Sequence, residues 1–289
     1  MRLLKLVAAA ALAACWIGGA AAQDDGRIAL FQTKNIFHSG LRDAHVVALT
    51  FDDGPNANTA GVLDALKAMN VKATFFIVGT QARAYPRLLA RIAAEGHLLA
   101  NHSASHPLLG RRYVRNPQLL INQIRIVHDL IAPLMRPTDK FYFRAPYGSW
   151  RTAHAEVLNA DPVLRNYVGP VYWDAGGDIS MTRDGYVMSS ADWACWSHHW
   201  TASTCAKGYI REIRRHDGGV VLMHCISSKA GPLVEAVVPA LVEEGYRFVR
   251  LDQVPEYRRY ETPQPNTPAL VAGGSETRYA EFTPAKLVK

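Results

Sequence analysis

Four short runs carry residue types that metal-assisted chemistry uses. Thr50-Phe51-Asp52-Asp53-Gly54-Pro55 sets two adjacent carboxylates just before a Gly-Pro turn. Two neighbouring carboxylates cannot both be buried cheaply without partners. His102-Ser103-Ala104-Ser105-His106 places two imidazoles so that they can converge on one ion from a helical turn or a tight loop. One Asp and two His make three ligands, the type and number of a catalytic zinc site that keeps a position for water. Arg144-Ala145-Pro146-Tyr147-Gly148 puts an arginine before a rigid turn. In Leu222-Met223-His224-Cys225, alternation along a strand gives Leu222 and His224 one face and Cys225 the other. Each run alone is commonplace. Together, in this order, they point to a catalytic metal site.

Such residues need elements that bring them to one place. Short apolar runs predict strands over 46–50, 72–79, 97–102, 141–145, 167–173, 219–225 and 246–251. Helical patterns between them predict helices over 59–69, 86–94, 117–131, 209–215 and 233–244, with Gly96 as a stop signal. Strands alternating with helices imply parallel βα units, as a barrel or an open α/β sheet. In both, reactive groups sit at the carboxyl ends of strands, which is where the four runs fall. Residues 174–208 read as a long insertion rich in Gly, Ser, Trp and Cys, and 256–289 as a flexible tail.

Composition bounds the rest. In 289 residues, 49% are hydrophobic and 20% charged, which excludes a collagen-like or disordered chain. Met1 to Lys5 is a basic start, 6–18 an Ala-rich apolar core, and Ala20-Ala21-Ala22 a small-residue cleavage site, so 1–22 is expected to be a secretory signal. Leu12-Ala13-Ala14-Cys15 offers a lipoprotein box as the alternative. Beyond residue 22 no apolar run reaches the roughly 18 residues needed to cross a bilayer. Loss of Arg2 and Lys5 with the signal lowers the net charge from +7 to +5. A charge this modest and dispersed does not support nucleic-acid binding. Export makes a disulfide plausible, and Cys195 and Cys205 are expected to pair, leaving Cys225 as a buried thiol. A metal site from Cys195, His198, His199 and Cys205 is the alternative use of that segment. Arg111, Arg112 and Arg115 are expected to form a solvated loop, with binding of an anionic polymer as the sharper alternative.

From about residue 45 to 255 the chain resembles the polysaccharide deacetylases of carbohydrate esterase family 4, the NodB-homology domain, chiefly in the runs Thr50 to Pro55 and His102 to His106. The resemblance implies a single-domain distorted (β/α)7 barrel, a lead-in over 23–44, a divalent metal, zinc foremost with cobalt as an option, and hydrolysis of acetyl groups on sugars. Carried over by position, Asp52 would be the general base. Asp53, His102 and His106 would be the metal ligands. Arg144 would orient the base, the Tyr147 N–H would face the oxyanion, Leu222 would line the acetyl pocket, and His224 would be the general acid. The chain departs from the pattern where the family has an Asp-Trp pair whose Asp sits near the base. Asp178 is the favoured match although Ile179 replaces the Trp, with Asp174 and the Asp192-Trp193 pair as alternatives. Cys225 stands where family members often have Asp. The expected substrate is an N-acetylated glycan, such as peptidoglycan, a chitin oligomer or an exopolysaccharide. The expected location is periplasmic or secreted, as a monomer. An O-acetyl esterase acting on xylan and a catalytically silent glycan-binding protein are the competing expectations.

Overall fold

The computed structural model describes residues 45–254 and Tyr257. The signal, the lead-in over 23–44 and the remainder of the tail lie outside the described residues, and so does Cys15. The elements run β1 (Val46–Asp52), α1 (Thr59–Ala68), β2 (Thr74–Ile77), α2 (Gly79–Ala84), α3 (Pro86–Ala94), β3 (Leu98–Asn101), α4 (Arg111–Arg115), α5 (Pro117–Ile131) and α6 (Thr152–Ala160). They continue through β4 (Ser180–Met181), β5 (Val187–Ser189), α7 (Asp192–Ser197), α8 (Ala202–His216), β6 (Gly218–His224), α9 (Ala230–Glu243) and β7 (Arg247–Phe248).

β1 is buried along its whole length, as expected of a near-continuous apolar run flanked on both sides. Its alternate residues divide two cores. Val46 and Ala48 face inward with Phe76, Ala100, Tyr142, Val168 and Val220. Val47, Leu49 and Phe51 face outward onto Val62, Leu63 and Leu66 of α1 and Val234, Val237 and Val238 of α9. The parallel order is β3-β2-β1-β6, and β7 pairs with the first residues of β1. Beyond β3 the staves thin to single bridges, Asn101 with Phe143 and Tyr142 with Val168, and Ala175 bridges back to Val221 on β6. The segment 168–175 thereby closes the sheet into a distorted barrel of one domain.

Two of the predicted strands, 141–145 and 167–173, are thus bridges and not ladders. Pro170 has no N–H to donate and interrupts the second run, and Pro146 ends the first directly after Ala145. The 174–208 insertion is also more ordered than a loop. It holds the β4–β5 hairpin, α7 and the first turns of α8. α8 starts at Ala202 because the Thr201 hydroxyl accepts from the Thr204 N–H at 3.1 Å. Gly208 lies inside this helix, where a Cβ would come within 2.0 Å of Ser190 Oγ, so glycine lets α8 approach the strand that precedes α7.

His97, at the foot of β3, makes the fold acid-sensitive. Its Nδ1 accepts from the Ala73 N–H at 3.1 Å. Burial, reinforced by Lys72 and Arg91, pushes its pKa down to about 4. The unfolded chain takes up the proton near pH 6.5, the folded chain only near 4, so this residue's stability contribution is intact above 6.5 and drains as pH falls. The loss reaches about 3 kcal/mol by the lower end of that window. Denaturation midpoints measured from pH 7 to 4 should fall more steeply for the wild type than for His97→Asn. Parallel curves would remove His97 as the cause.

Candidate metal centre

The register of β1 against β6 sets Thr50 opposite Leu222 and Asp52 opposite His224. In a parallel pair, opposed residues share a face, so Thr50, Asp52, Leu222 and His224 all point to the inner, carboxyl-terminal mouth of the barrel. Asp53 follows at the strand tip, and His102 follows β3.

Four non-glycine residues here adopt left-handed backbone: Asp53 at φ 71°, Ser103 at 72°, His106 at 53° and Tyr147 at 58°. Each costs about 1–2 kcal/mol, and strain clustered in this way is characteristic of functional sites. A small network holds the His102–His106 loop in place. Asn101 Oδ1 accepts from the Ser103 N–H at 3.0 Å, and Ser103 Oγ accepts from the His106 N–H at 3.1 Å. Asn101 Nδ2 itself donates to the Ile124 carbonyl at 2.9 Å.

Asp53 Oδ1 lies 3.2 Å from His106 Nε2 and 3.6 Å from His102 Nε2. One ligand atom from each of these three residues falls within 4.8 Å of the others. His102 Nδ1 donates to the Arg144 carbonyl at 2.8 Å, since a carbonyl can only accept. The lone pair of Nε2 therefore faces the centre, the arrangement seen in histidines that ligate metals. Burial, with the neighbouring His102, lowers the pKa of His106 and favours its neutral, ligating form. Asp53 Oδ1 is buried without a hydrogen-bond partner. An orphaned buried carboxylate oxygen is costly, and a divalent cation would satisfy it together with two imidazole lone pairs. The donor set fits zinc or cobalt.

Asp52 is held from behind. Arg144, wholly buried, donates from Nη1 to Asp52 Oδ1 at 2.7 Å and to Thr50 Oγ1 at 2.8 Å. Its Nε donates to the Val171 carbonyl at 3.0 Å and its Nη2 to that of Tyr172 at 3.3 Å, while Phe76 lies against its guanidinium. Asp52 Oδ1 is thus occupied, and Oδ2 faces the centre, 3.5 Å from His102 Nε2.

His224 is held from the insertion. Its Nδ1 donates to Asp192 Oδ1 at 2.8 Å and its backbone N–H to Asp192 Oδ2 at 2.6 Å. Its Nε2 lies 4.0 Å from Asp53 Oδ2. Burial works against charge on this ring, but the Asp192, Asp52 and Asp53 carboxylates outweigh it and lift the pKa to about 9. Asp192 is itself fully buried, at the start of α7. Its N–H donates to the Tyr209 hydroxyl at 3.0 Å, and that hydroxyl donates to the Leu222 carbonyl at 3.0 Å. The Cys195–Cys205 disulfide staples α7 to α8 just beyond it. That pairing leaves no thiolate in the segment for a Cys/His metal site.

The favoured acid, Asp178, is not part of this cluster. It is exposed, and its Oδ1 accepts from the Ile179 N–H at 2.7 Å. Asp174 is engaged elsewhere too, its Oδ2 accepting from the Val220 N–H at 2.8 Å. Of the three acids it is Asp192, beyond the β4–β5 hairpin, that bonds to His224, so nearness in sequence to Trp173 misleads. The Asp192-Trp193 dipeptide was the sequence signal available for it. Thr50, Asn101 and Tyr209 carry no sequence signature, and only the fold shows their part in the site.

The other expected residues lie at the mouth. The Tyr147 ring is exposed and meets His106 edge-on, with centroids 4.6 Å apart. Leu222 is buried beside His224. Cys225 faces away, beneath the turn after β1, where a Cβ on Gly54 would lie 2.3 Å from its Sγ. Burial pushes its thiol up to about 12, so it packs and does not react.

A family model described as polysaccharide deacetylase matches residues 40–163. That stretch includes Asp52, Asp53, His102, His106, Arg144 and Tyr147 but stops short of Asp192 and His224. The chain is 32% identical over 220 residues to a peptidoglycan-N-acetylglucosamine deacetylase of Bacillus cereus, covering 74% of this chain and 69% of that protein. It is 32% identical over 218 residues to the peptidoglycan-N-acetylmuramic acid deacetylase PdaC of Bacillus subtilis, covering 74% of this chain but 39% of PdaC. The solved structure of PdaC superposes with a TM-score of 0.55 at 29% identity, over 74% of this chain and 91% of that one.

Proposed function

The chain belongs to the polysaccharide deacetylases of carbohydrate esterase family 4, and on that premise we propose that it hydrolyses the acetamido group of an N-acetylated glycan, releasing acetate and leaving a free amine. The observation that carries this reading is the orphaned Asp53 Oδ1, faced by two imidazoles and flanked by Asp52–Arg144 on one side and His224–Asp192 on the other. Asp53, His102 and His106 would hold a divalent ion, zinc foremost. Such an ion, when bound, supplies a Lewis acid that makes water nucleophilic near neutral pH and attracts the charge developing on the acetyl oxygen.

The chain's own groups divide the proton work. Asp52, with Oδ1 tied to Arg144, takes the proton from the attacking water on Oδ2. A C–O bond forms as the amide carbon becomes tetrahedral. The Tyr147 N–H, presented by its left-handed backbone, faces the oxyanion. The C–N bond then breaks, and the amine leaves with a proton from Nε2 of His224, which Asp192 keeps charged. Leu222 gives the acetyl methyl an apolar wall. The apolar, Ala-rich start at 6–22 supports an exported enzyme, and no helix among the described residues is long and apolar enough to cross a membrane.

Chelation should lower acetate release from N-acetylglucosamine oligomers by more than about 10²-fold, and added zinc or cobalt should restore it. Full activity in chelator would overturn the metal assignment. Acetate release from acetylated xylan but not from these oligomers would move the reaction from amide to ester.

A further inference from the structure

The walls that leave the metal centre through His106 and Tyr147 are unusually basic. No Asp or Glu occurs anywhere in 96–128 or in 140–155. The first stretch carries Arg111, Arg112 and Arg115 on α4, and the second carries Arg151 just before α6, all four exposed. The two walls are joined, with Ser149 Oγ donating to the Leu109 carbonyl at 3.2 Å and Leu109, Tyr113, Trp150 and Ala155 sharing one core. Several arginines elsewhere find acids, Arg91 with Glu95, Arg125 with Asp161, Arg144 with Asp52 and Arg250 with Asp139, while others such as Arg83, Arg87 and Arg165 stand apart from one another on separate elements, without an ion pair among the described residues. Among the described residues, none of the four on this flank has an ion pair. The insertion that carries Asp192 instead mixes both signs, exposing Asp178 and Asp184 together with Arg183 and Lys207.

Unpaired guanidinium groups on a short, core-anchored helix suit carboxylates better than water alone, because Arg presents a planar fork that a carboxylate matches in two bonds. Their position matters as much as their charge. They begin five residues after His106, with exposed Leu108 between, and exposed Tyr147 stands against His106 on the wall that leads to Arg151. We propose that this flank binds carboxylates borne by the glycan strand, so that the preferred substrate is an acidic glycan and not a neutral homopolymer. The proposal rests on the deacetylase reading for its substrate, but its test does not need turnover.

The probe is solubilised peptidoglycan in three forms: strands with peptide stems, strands stripped of stems but keeping sugar-borne carboxylates, and strands whose carboxylates are amidated. Affinity is measured at low and high salt with the Asp52→Asn protein, and kcat/KM with the active enzyme. Amidation should weaken binding about tenfold at low salt, and high salt should erase the difference. Arg111→Gln/Arg112→Gln/Arg115→Gln should bind acidic and amidated strands alike, Arg151→Gln should lose part of the preference, and the triple Lys variant should keep most of it. A preference that survives stem removal assigns the contact to sugar-borne carboxylates, and one lost with the stems assigns it to the peptide. Equal binding of acidic and amidated strands by the unsubstituted flank, or a preference unchanged in the triple Gln variant, overturns the proposal. Absence of acetate release from every strand would refute the deacetylase reading instead, while the binding ratio would still decide the flank.

Discussion

Asp52→Asn should lower kcat for acetate release by about 10³–10⁴-fold, the upper part of the range for a lost general base. Asn is nearly isosteric and its Oδ1 can still accept from Arg144, so the geometry of the mouth should survive. What it cannot do is take a proton. Because Asp53, His102 and His106 are untouched, bound metal should stay near one ion per chain, and the substrate affinity should change little. The substitution also leaves the buried Arg144 charge without a counter-ion. Breaking such a pair costs about 3–5 kcal/mol, so the melting temperature should drop, and rates must be compared where both proteins are folded. A fully active, metal-loaded Asp52→Asn enzyme would show that another group is the base.

Asp192→Asn should lower kcat by about 10²–10³-fold and shift its pH dependence. The carboxylate does two things to His224: it fixes the ring through Nδ1 and it stabilises the charged form. Loss of the negative charge lowers the pKa of His224 from about 9, so the ring loses its proton at a lower pH and the alkaline limb of the rate profile moves downward. An amide at this position can also present N–H₂ to Nδ1 and favour the wrong tautomer, as with the carboxylate that orients the histidine of serine-protease triads. Asp178→Asn, in contrast, should leave rate and profile nearly unchanged, since that residue is exposed and bonded to its own neighbour. A large effect at Asp178 and none at Asp192 would reverse the assignment made from the geometry.

The site was legible in the sequence wherever its members are tied to strand ends by local spacing. Asp52, Asp53, His102, Arg144 and His224 lie within an apolar run or at most three residues beyond it, His106 follows His102 by four, and parallel α/β order gathers such positions at one mouth. The near-continuous apolar runs β1, β2, β3 and β6 formed close to where pattern placed them. The 167–173 run did not become a ladder, because Pro170 removes a donor that periodicity does not count, and the 141–145 run, cut off by Pro146, makes single bridges only. The acid partner was misplaced for a different reason. Asp192 reaches His224 by way of a hairpin, a disulfide and the Tyr209 hydroxyl, all tertiary devices, and none leaves a periodic trace in the residues between Trp173 and Asp192. The same holds for Thr50 and Asn101, whose side chains matter only once the barrel has closed around Arg144 and the His102–His106 loop. The arginines of α4 read as a solvated loop, and their lack of acidic partners became visible only with the ion pairs of the rest of the molecule in view.

The central claim is tested most directly by mass spectrometry of a defined N-acetylglucosamine oligomer incubated with zinc-loaded enzyme, with acetate measured in the same sample. The account predicts products lighter by one acetyl group exchanged for hydrogen, equimolar acetate, intact chain length, and none of this with Asp52→Asn. An unmodified oligomer across the acetylated glycans tried, a shortened chain, or equal acetate from the Asp52→Asn protein would contradict it.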